Sequence, residues 1–167
     1  VLEKMERKYN TDFFLKKVEK IRSVRPDISI TTDVIVGFPY ETEEEFKSSI
    51  EFIKKVNFSK LHVFPYSMRK GTKACSFPQI QDAIKKERTS KLIALSKILE
   101  LDYAQRFLGR TMEVLIEQIV NKDYMVGHSS NYLQVHLPVN ENLIKKNVLV
   151  KIEKIVEDKI FGTIIEE

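Results

Sequence analysis

Between Thr32 and Phe46 the chain runs Thr-Asp-Val-Ile-Val-Gly-Phe-Pro-Tyr-Glu-Thr-Glu-Glu-Glu-Phe, and few folds can accommodate that order. Val34, Ile35 and Val36 are continuously apolar, as expected of a parallel strand covered on both faces. Gly37 and Pro39 turn the chain, and Thr42 with Glu45 matches a capping box that opens a helix. Residues 61–65 form the next apolar run, so helix, strand, helix and strand succeed one another at lengths that predict a parallel sheet. In such sheets a ligand sits in the crevice beyond the strand ends. Here those ends are Gly37 and the stretch that starts at Tyr66.

The flanking segments extend this pattern. Thr11 is placed to cap a helix through about residue 25, with Phe14, Val18 and Ile21 on one face and Pro26 as its stop. A strand is expected over 28–36 and the following helix to about residue 56. A long helix is predicted over 80–107, with Leu92, Leu95, Leu99 and Tyr103 on one stripe and Gly109 as its closing cap. From Arg110 onward the period becomes two. Met112, Val114 and Ile116 alternate, then residues 132–137, 148–155 and 160–165, with Gly162 at a bulge position. These short strands predict a small antiparallel β-barrel of OB-like size. The expected fold class is α/β, with residues 1–107 forming one domain and 108–167 the barrel.

With 43% hydrophobic residues the chain can bury a core, and no apolar run is long enough to span a bilayer. Charge is uneven: residues 1–109 carry about +6 and residues 110–167 about −2. The first surplus permits an acidic partner such as nucleic acid, though solvated helix faces explain it equally well. A single cysteine, Cys75, excludes an internal disulfide and fits a reducing, cytoplasmic setting. One thiolate cannot hold an iron–sulfur cluster. His62, His128 and His136 are scattered without metal-ligand spacing. The opening Val-Leu-Glu-Lys-Met looks like a cut through a larger protein.

Several residues carry two readings each. Gly37 either lets a ligand approach the backbone or only permits the chain reversal. Arg7 could grip a carboxylate or lie on plain surface. Phe64 and Tyr66 could flank a planar ring or form a buried aromatic pair. Asp33, Glu41 and the Glu43–Glu45 run are acid/base candidates, but most of that run is accounted for by negative charge at a helix N-terminus. In the last segment Tyr124, His128, Tyr132 and His136, near Lys122, Asn131 and Gln134, could stack on single-stranded nucleic acid or fill the barrel core. A barrel with this balance binds phosphate poorly unless its lysines gather on one face.

The motifs Met5-x-Arg7-x-Tyr9, Thr32 to Thr42 and His62-Val63-Phe64-x-Tyr66-Ser67-x-Arg69-x-Gly71-Thr72-x-Ala74, with Lys86-x-Arg88, resemble the C-terminal half of a radical-SAM tRNA methylthiotransferase. Phe107 to Thr111 resembles the approach to a TRAM domain. Residues 61–67 and 130–135 resemble the MtaB branch, which acts on N6-threonylcarbamoyladenosine at position 37 of tRNA. The MiaB branch, acting on isopentenyladenosine, and the RimO branch, acting on a ribosomal protein, fit less well. The resemblance implies a partial (β/α) barrel, S-adenosylmethionine as cofactor, and 4Fe–4S clusters whose ligands lie outside this chain. It also implies a tRNA anticodon stem-loop as partner, sulfur and electron donors, and no membrane. By carry-over, Gly37 and Phe38 line the S-adenosylmethionine pocket, Phe64 and Tyr66 flank its adenine, and Arg7 is a candidate for its carboxylate. Arg110, Tyr124, His128 and Tyr132 are the barrel's candidates for RNA. Tyr40 stands where the family usually has glycine, and Lys73 where it has proline. The 167 residues alone are expected to be inactive, and a non-catalytic RNA-binding module is the competing reading.

Overall fold

In the computed structural model, which describes residues 1–165, the first helix α1 (Thr11–Val24) is capped by Asn10 rather than Thr11. Asn10 Oδ1 accepts the Phe13 N–H at 2.9 Å, and Thr11 becomes the first helical residue. Arg22, in the last turn of α1, donates to the carbonyls of Val56 and Asn57 at 2.5 and 2.6 Å. A cation at a helix C-terminus satisfies carbonyls that have no intrahelical partner, so α1 closes the end of α2 (Glu43–Val56). The capping box of α2 is complete: Thr42 Oγ1 accepts from the Glu45 amide and Glu45 Oε2 from the Thr42 amide. That second bond holds the Glu45 carboxyl below the usual carboxylate range.

Between these helices β1 (Thr31–Val36) is shorter than expected, because the Ile28 amide is spent on a turn back to Arg25. It pairs in parallel with β2 (Lys60–Pro65), from Thr31 opposite Lys60 to Val36 opposite Pro65. Val36, Phe46, Ile53, Val56, Leu61 and Leu92 form the centre of the first core. The expectation that the strand is covered on both faces holds for one face only. Ile35 is 41% exposed and its neighbour Phe64 50%, while Val36 is buried.

A short 3-10 turn (Lys73–Ser76) leads to α3 (Asp82–Gln105). The chain divides into two compact units, Val1–Leu99 and Glu100–Glu167. The apolar stripe of α3 is shared: Leu92 and Leu99 serve the first core, Tyr103 and Ala104 the second. Among the described residues, no helix is long and apolar enough to cross a membrane.

The second unit is a closed five-stranded barrel of β3 (Thr111–Ile119), β4 (Tyr124–Ser129), β5 (Gln134–Pro138), β6 (Asn147–Val156) and β7 (Lys159–Ile164), in the order β3-β4-β5-β7-β6. It is not wholly antiparallel. β5 and β7 run parallel, with Val135 opposite Ile160 and His136 opposite Phe161. The reason is parity: an odd number of strands cannot alternate direction all the way round a closed ring. Two local expectations also change. Tyr132 lies in the β4–β5 turn at φ +64°, so β5 begins only at Gln134. The bulge falls in β6 between Ile152 and Lys154, on the strand facing Gly162. Val114, Ile116, Met125, Val135, Leu137 and Ile152 fill the interior, and the amide of Gly109, at φ +77°, bonds the Ile152 carbonyl.

Candidate functional site

The turn after β1 is held from inside. Gly37 sits at φ +71°, a conformation that costs a side-chain-bearing residue about 1–2 kcal/mol. Its N–H donates to Glu41 Oε2 at 2.8 Å, and the Glu41 amide returns to the Phe38 carbonyl at 2.9 Å. Arg88 on α3 donates through Nη1 to the same carboxylate oxygen at 2.6 Å and to the Glu41 carbonyl at 3.1 Å. Its Nη2 reaches Glu43 at 3.3 Å, and the guanidinium lies 5.0 Å from the Phe46 ring centre. Both Glu41 and Arg88 are buried. Glu41 therefore works as a clamp on the turn, its Oε2 held by two donors.

The second strand end meets the first. The Tyr66 N–H bonds the Val36 carbonyl at 2.8 Å, and the Phe38 and Tyr66 rings meet edge to face at 5.3 Å. Lys85 covers both. A Cβ on Gly37 would lie 2.5 Å from Lys85 Cγ, and Lys85 Nζ lies 6.0 Å from the Tyr66 ring centre and 3.1 Å from Asp82. Beside Tyr66 opens a cleft of about 580 Å³, lined among others by Pro65, Ser67, Met68, Lys85 and Lys86. The Tyr66 hydroxyl is buried and has no hydrogen-bond partner among the described residues. Gly37, Phe38 and Tyr66 are thus brought together. Phe64 lies on the open face of β2, and Arg7 is exposed in the opening turn, its amide bonded to the Leu2 carbonyl.

In the barrel the candidates separate. The Tyr124 and His136 rings each lie 5.3 Å from Phe161. His128 Nδ1 is 2.9 Å from Glu117, Arg110 stacks 5.4 Å from the Phe107 ring, and Tyr132 is 80% exposed in its turn. Burial pushes the His136 imidazole below its ordinary range. The unfolded chain therefore takes up a proton at a higher pH than the folded one. The barrel should be fully stable above about pH 6.5 and lose stability as the pH falls through the folded-state value. Urea midpoints at pH 7.5 and 5.5 should differ less in His136→Gln than in the parent, and equal differences would refute this.

Comparison with known proteins adds the decisive observation. No family model matches the chain. The threonylcarbamoyladenosine tRNA methylthiotransferase MtaB of Bacillus subtilis (strain 168) is 42% identical over 159 residues, 92% of this chain and 35% of that protein. The tRNA-2-methylthio-N(6)-dimethylallyladenosine synthase of Thermoanaerobacter sp. (strain X514) is 39% identical over 99% of this chain and 36% of its own length. The MtaB of Thermotoga maritima is 40% identical over 80% of this chain and 31% of its own. The chain is homologous to the tRNA methylthiotransferases. It spans about a third of the length of these relatives.

Two oddities of this methylthiotransferase homologue have local compensation. Tyr40 adopts φ +67°, which favours glycine, but its ring packs 5.3 Å from Phe77 and 5.1 Å from Lys4 Nζ. Tyr40→Ala keeps the backbone strain and loses both contacts, whereas Tyr40→Gly loses the contacts and the strain. The glycine variant should be more stable than the alanine variant by about 1 kcal/mol in urea unfolding, and the reverse order would refute the account. Lys73 forms an exposed ion pair with Glu6 at 2.7 Å, which lowers the Glu6 carboxyl and raises the Lys73 amine. Among the described residues, no group of three or more His, Cys, Asp or Glu gathers to hold a metal. With Cys75 the sole thiol in the sequence, the chain's own residues do not fit an iron–sulfur cluster.

Sequence reasoning undervalued Arg88 and passed over Lys85 and Phe161. A signal for Arg88 was present, since it stands four residues before Leu92 on the buried stripe of α3. An arginine there needs a carboxylate partner.

Proposed function

We propose that this chain is the C-terminal part of a radical-SAM methylthiotransferase that adds a methylthio group at C2 of N6-threonylcarbamoyladenosine 37 in tRNA. The observation that carries this reading is the meeting of Gly37, Phe38 and Tyr66 beyond the C-terminal ends of two parallel strands, in a chain homologous to MtaB over 92% of its length. Ligands of open α/β sheets bind at that edge. Gly37 and Phe38 would line the S-adenosylmethionine pocket, Tyr66 and Phe64 would flank the adenine, and Arg7 would take the carboxylate. Bound there with a cluster ligated by residues outside this chain, S-adenosylmethionine supplies a radical and a methyl group. The barrel, read as a TRAM domain, would hold the tRNA, which implies a cytoplasmic protein.

Deleting the gene and analysing tRNA nucleosides by mass spectrometry tests this. The 2-methylthio form of threonylcarbamoyladenosine should vanish while that of isopentenyladenosine persists. The opposite pattern would favour the dimethylallyladenosine reading, which is supported by relatives that align over 99% of the chain. No change in either nucleoside would leave the non-catalytic RNA-binding module.

A further inference from the structure

We propose that the outer face of β4, β5 and β7 is a stacking platform for unpaired RNA bases, built from Tyr124, His136 and Phe161 and edged by Lys154. This deepens the reading that the barrel handles tRNA and rests on it. The alternation of these strands decides which side chains face outward. Met125, Val135, Leu137 and Ile160 fill the interior, so their neighbours Tyr124, His136 and Phe161 stand on the other surface. The three rings are therefore not core residues. His136 and Phe161 lie opposite each other in the parallel pair, and Phe161 lies opposite Lys154 in the β6–β7 ladder. Ring centres are 5.3 Å apart from Tyr124 to Phe161 and from His136 to Phe161, with Lys154 Nζ 5.9 Å from the Phe161 centre. Tyr124 is 37% exposed, and Phe161 and His136 are half-buried, which fixes the rings yet leaves surface for a base.

Charge on that side of the barrel is mixed, with one cation placed against the rings. Residues 110–167 carry about −2 in total; Lys151, Lys154 and Lys159 stand along β6 and β7 with Glu153 on β6 and Glu157 in the turn after it, whereas Glu113 and Glu117 stand on β3. Asp158, in the β6–β7 turn, is the acidic residue acting on His136. The cation set against the rings is Lys154, opposite Phe161, which offers a single phosphate contact beside the stacking surface. His136 adds a directional contact. Its Nδ1 faces the Ile160 carbonyl at 3.3 Å, and a carbonyl only accepts, so Nδ1 donates. In the neutral ring Nε2 is then the acceptor, suited to a base N–H or a ribose 2′-hydroxyl.

Fluorescence anisotropy of the 167-residue chain tests this with a labelled anticodon stem-loop and a fully paired RNA duplex, at 50 and 200 mM salt. The stem-loop should bind more tightly than the duplex. Phe161→Leu keeps apolar cover but removes the π-face, and should weaken stem-loop binding about tenfold with an unchanged salt slope. Tyr124→Leu, at the exposed edge, should give a loss in the same direction should Phe161→Leu fail to fold. Lys154→Gln should reduce the salt slope by about 0.7, and Asn142→Ala in the short turn before β6 should bind as the parent does. Parent-like binding by folded Phe161→Leu or Tyr124→Leu, or equal affinity for stem-loop and duplex, would overturn the platform and leave the tRNA reading standing. Failure of the parent to bind any of these RNAs would also overturn it, whereas the enzymatic reading is judged separately by the nucleoside analysis.

Discussion

Arg88→Met should lower the unfolding free energy of the first unit by about 3–5 kcal/mol, the cost of leaving a buried charge without its partner. Methionine replaces much of the arginine stem against Phe46 but nothing replaces the two Nη1 bonds to Glu41. The Glu41 carboxylate would remain buried with the Gly37 N–H as its one neutral donor. A double variant, Glu41→Gln with Arg88→Met, should recover most of that loss, because an amide can keep the Gly37 bond without a charge to compensate. Amide hydrogen exchange of β1 and α2 is the suitable measurement, since the two units need not unfold together. A loss below about 1 kcal/mol in the single variant would mean that the pair behaves as if solvated. The turn after β1 would then need another explanation for its order.

In the second unit the largest single effect is expected from Gly127→Ala. Its backbone is not in a glycine-only conformation, so the requirement is space. A Cβ there would lie 2.2 Å from the Leu115 carbonyl oxygen and 2.8 Å from Val114 Cγ1. The oxygen belongs to the backbone of the adjacent strand, in the stretch where Leu115 pairs with His128 and Ile116 with Gly127. It cannot move aside without parting β3 from β4 and opening the ring. Overpacking of this kind costs about 3 kcal/mol or more, a drop in melting temperature of more than about 10 °C for a barrel of this size. Gly109→Ala is the internal comparison. It meets open space and suffers only its φ of +77°, so it should cost about 1–2 kcal/mol. Equal melting temperatures for the two variants would contradict the packing argument.

These two sites also show where sequence reasoning reaches. The Thr42–Glu45 capping box was legible because both partners lie within one helical turn, and the structure forms both bonds. Asn10 and Thr11 are both competent caps, and only the observed chain path selects the first. Strand β4 was not legible at all. Met125 and Val126 are adjacent apolar residues and Gly127 has no side chain, so the period-two signal is lost between Tyr124 and Ser129. The Glu41 to Arg88 bond joins residues 47 apart, and no local pattern announces it.

By itself the sequence determined the alternation of helix and strand, the change to period two after Arg110, and the two strand ends where a ligand would be sought. These are local properties, written by propensity and periodicity within a few residues. The tertiary structure alone decided that one stripe of α3 serves two cores, that β5 and β7 run parallel, and that Tyr124 joins Phe161 rather than Tyr132. The physical reason is that contacts between distant segments depend on how a chain closes, and closure is a property of the whole ring of strands rather than of any one of them.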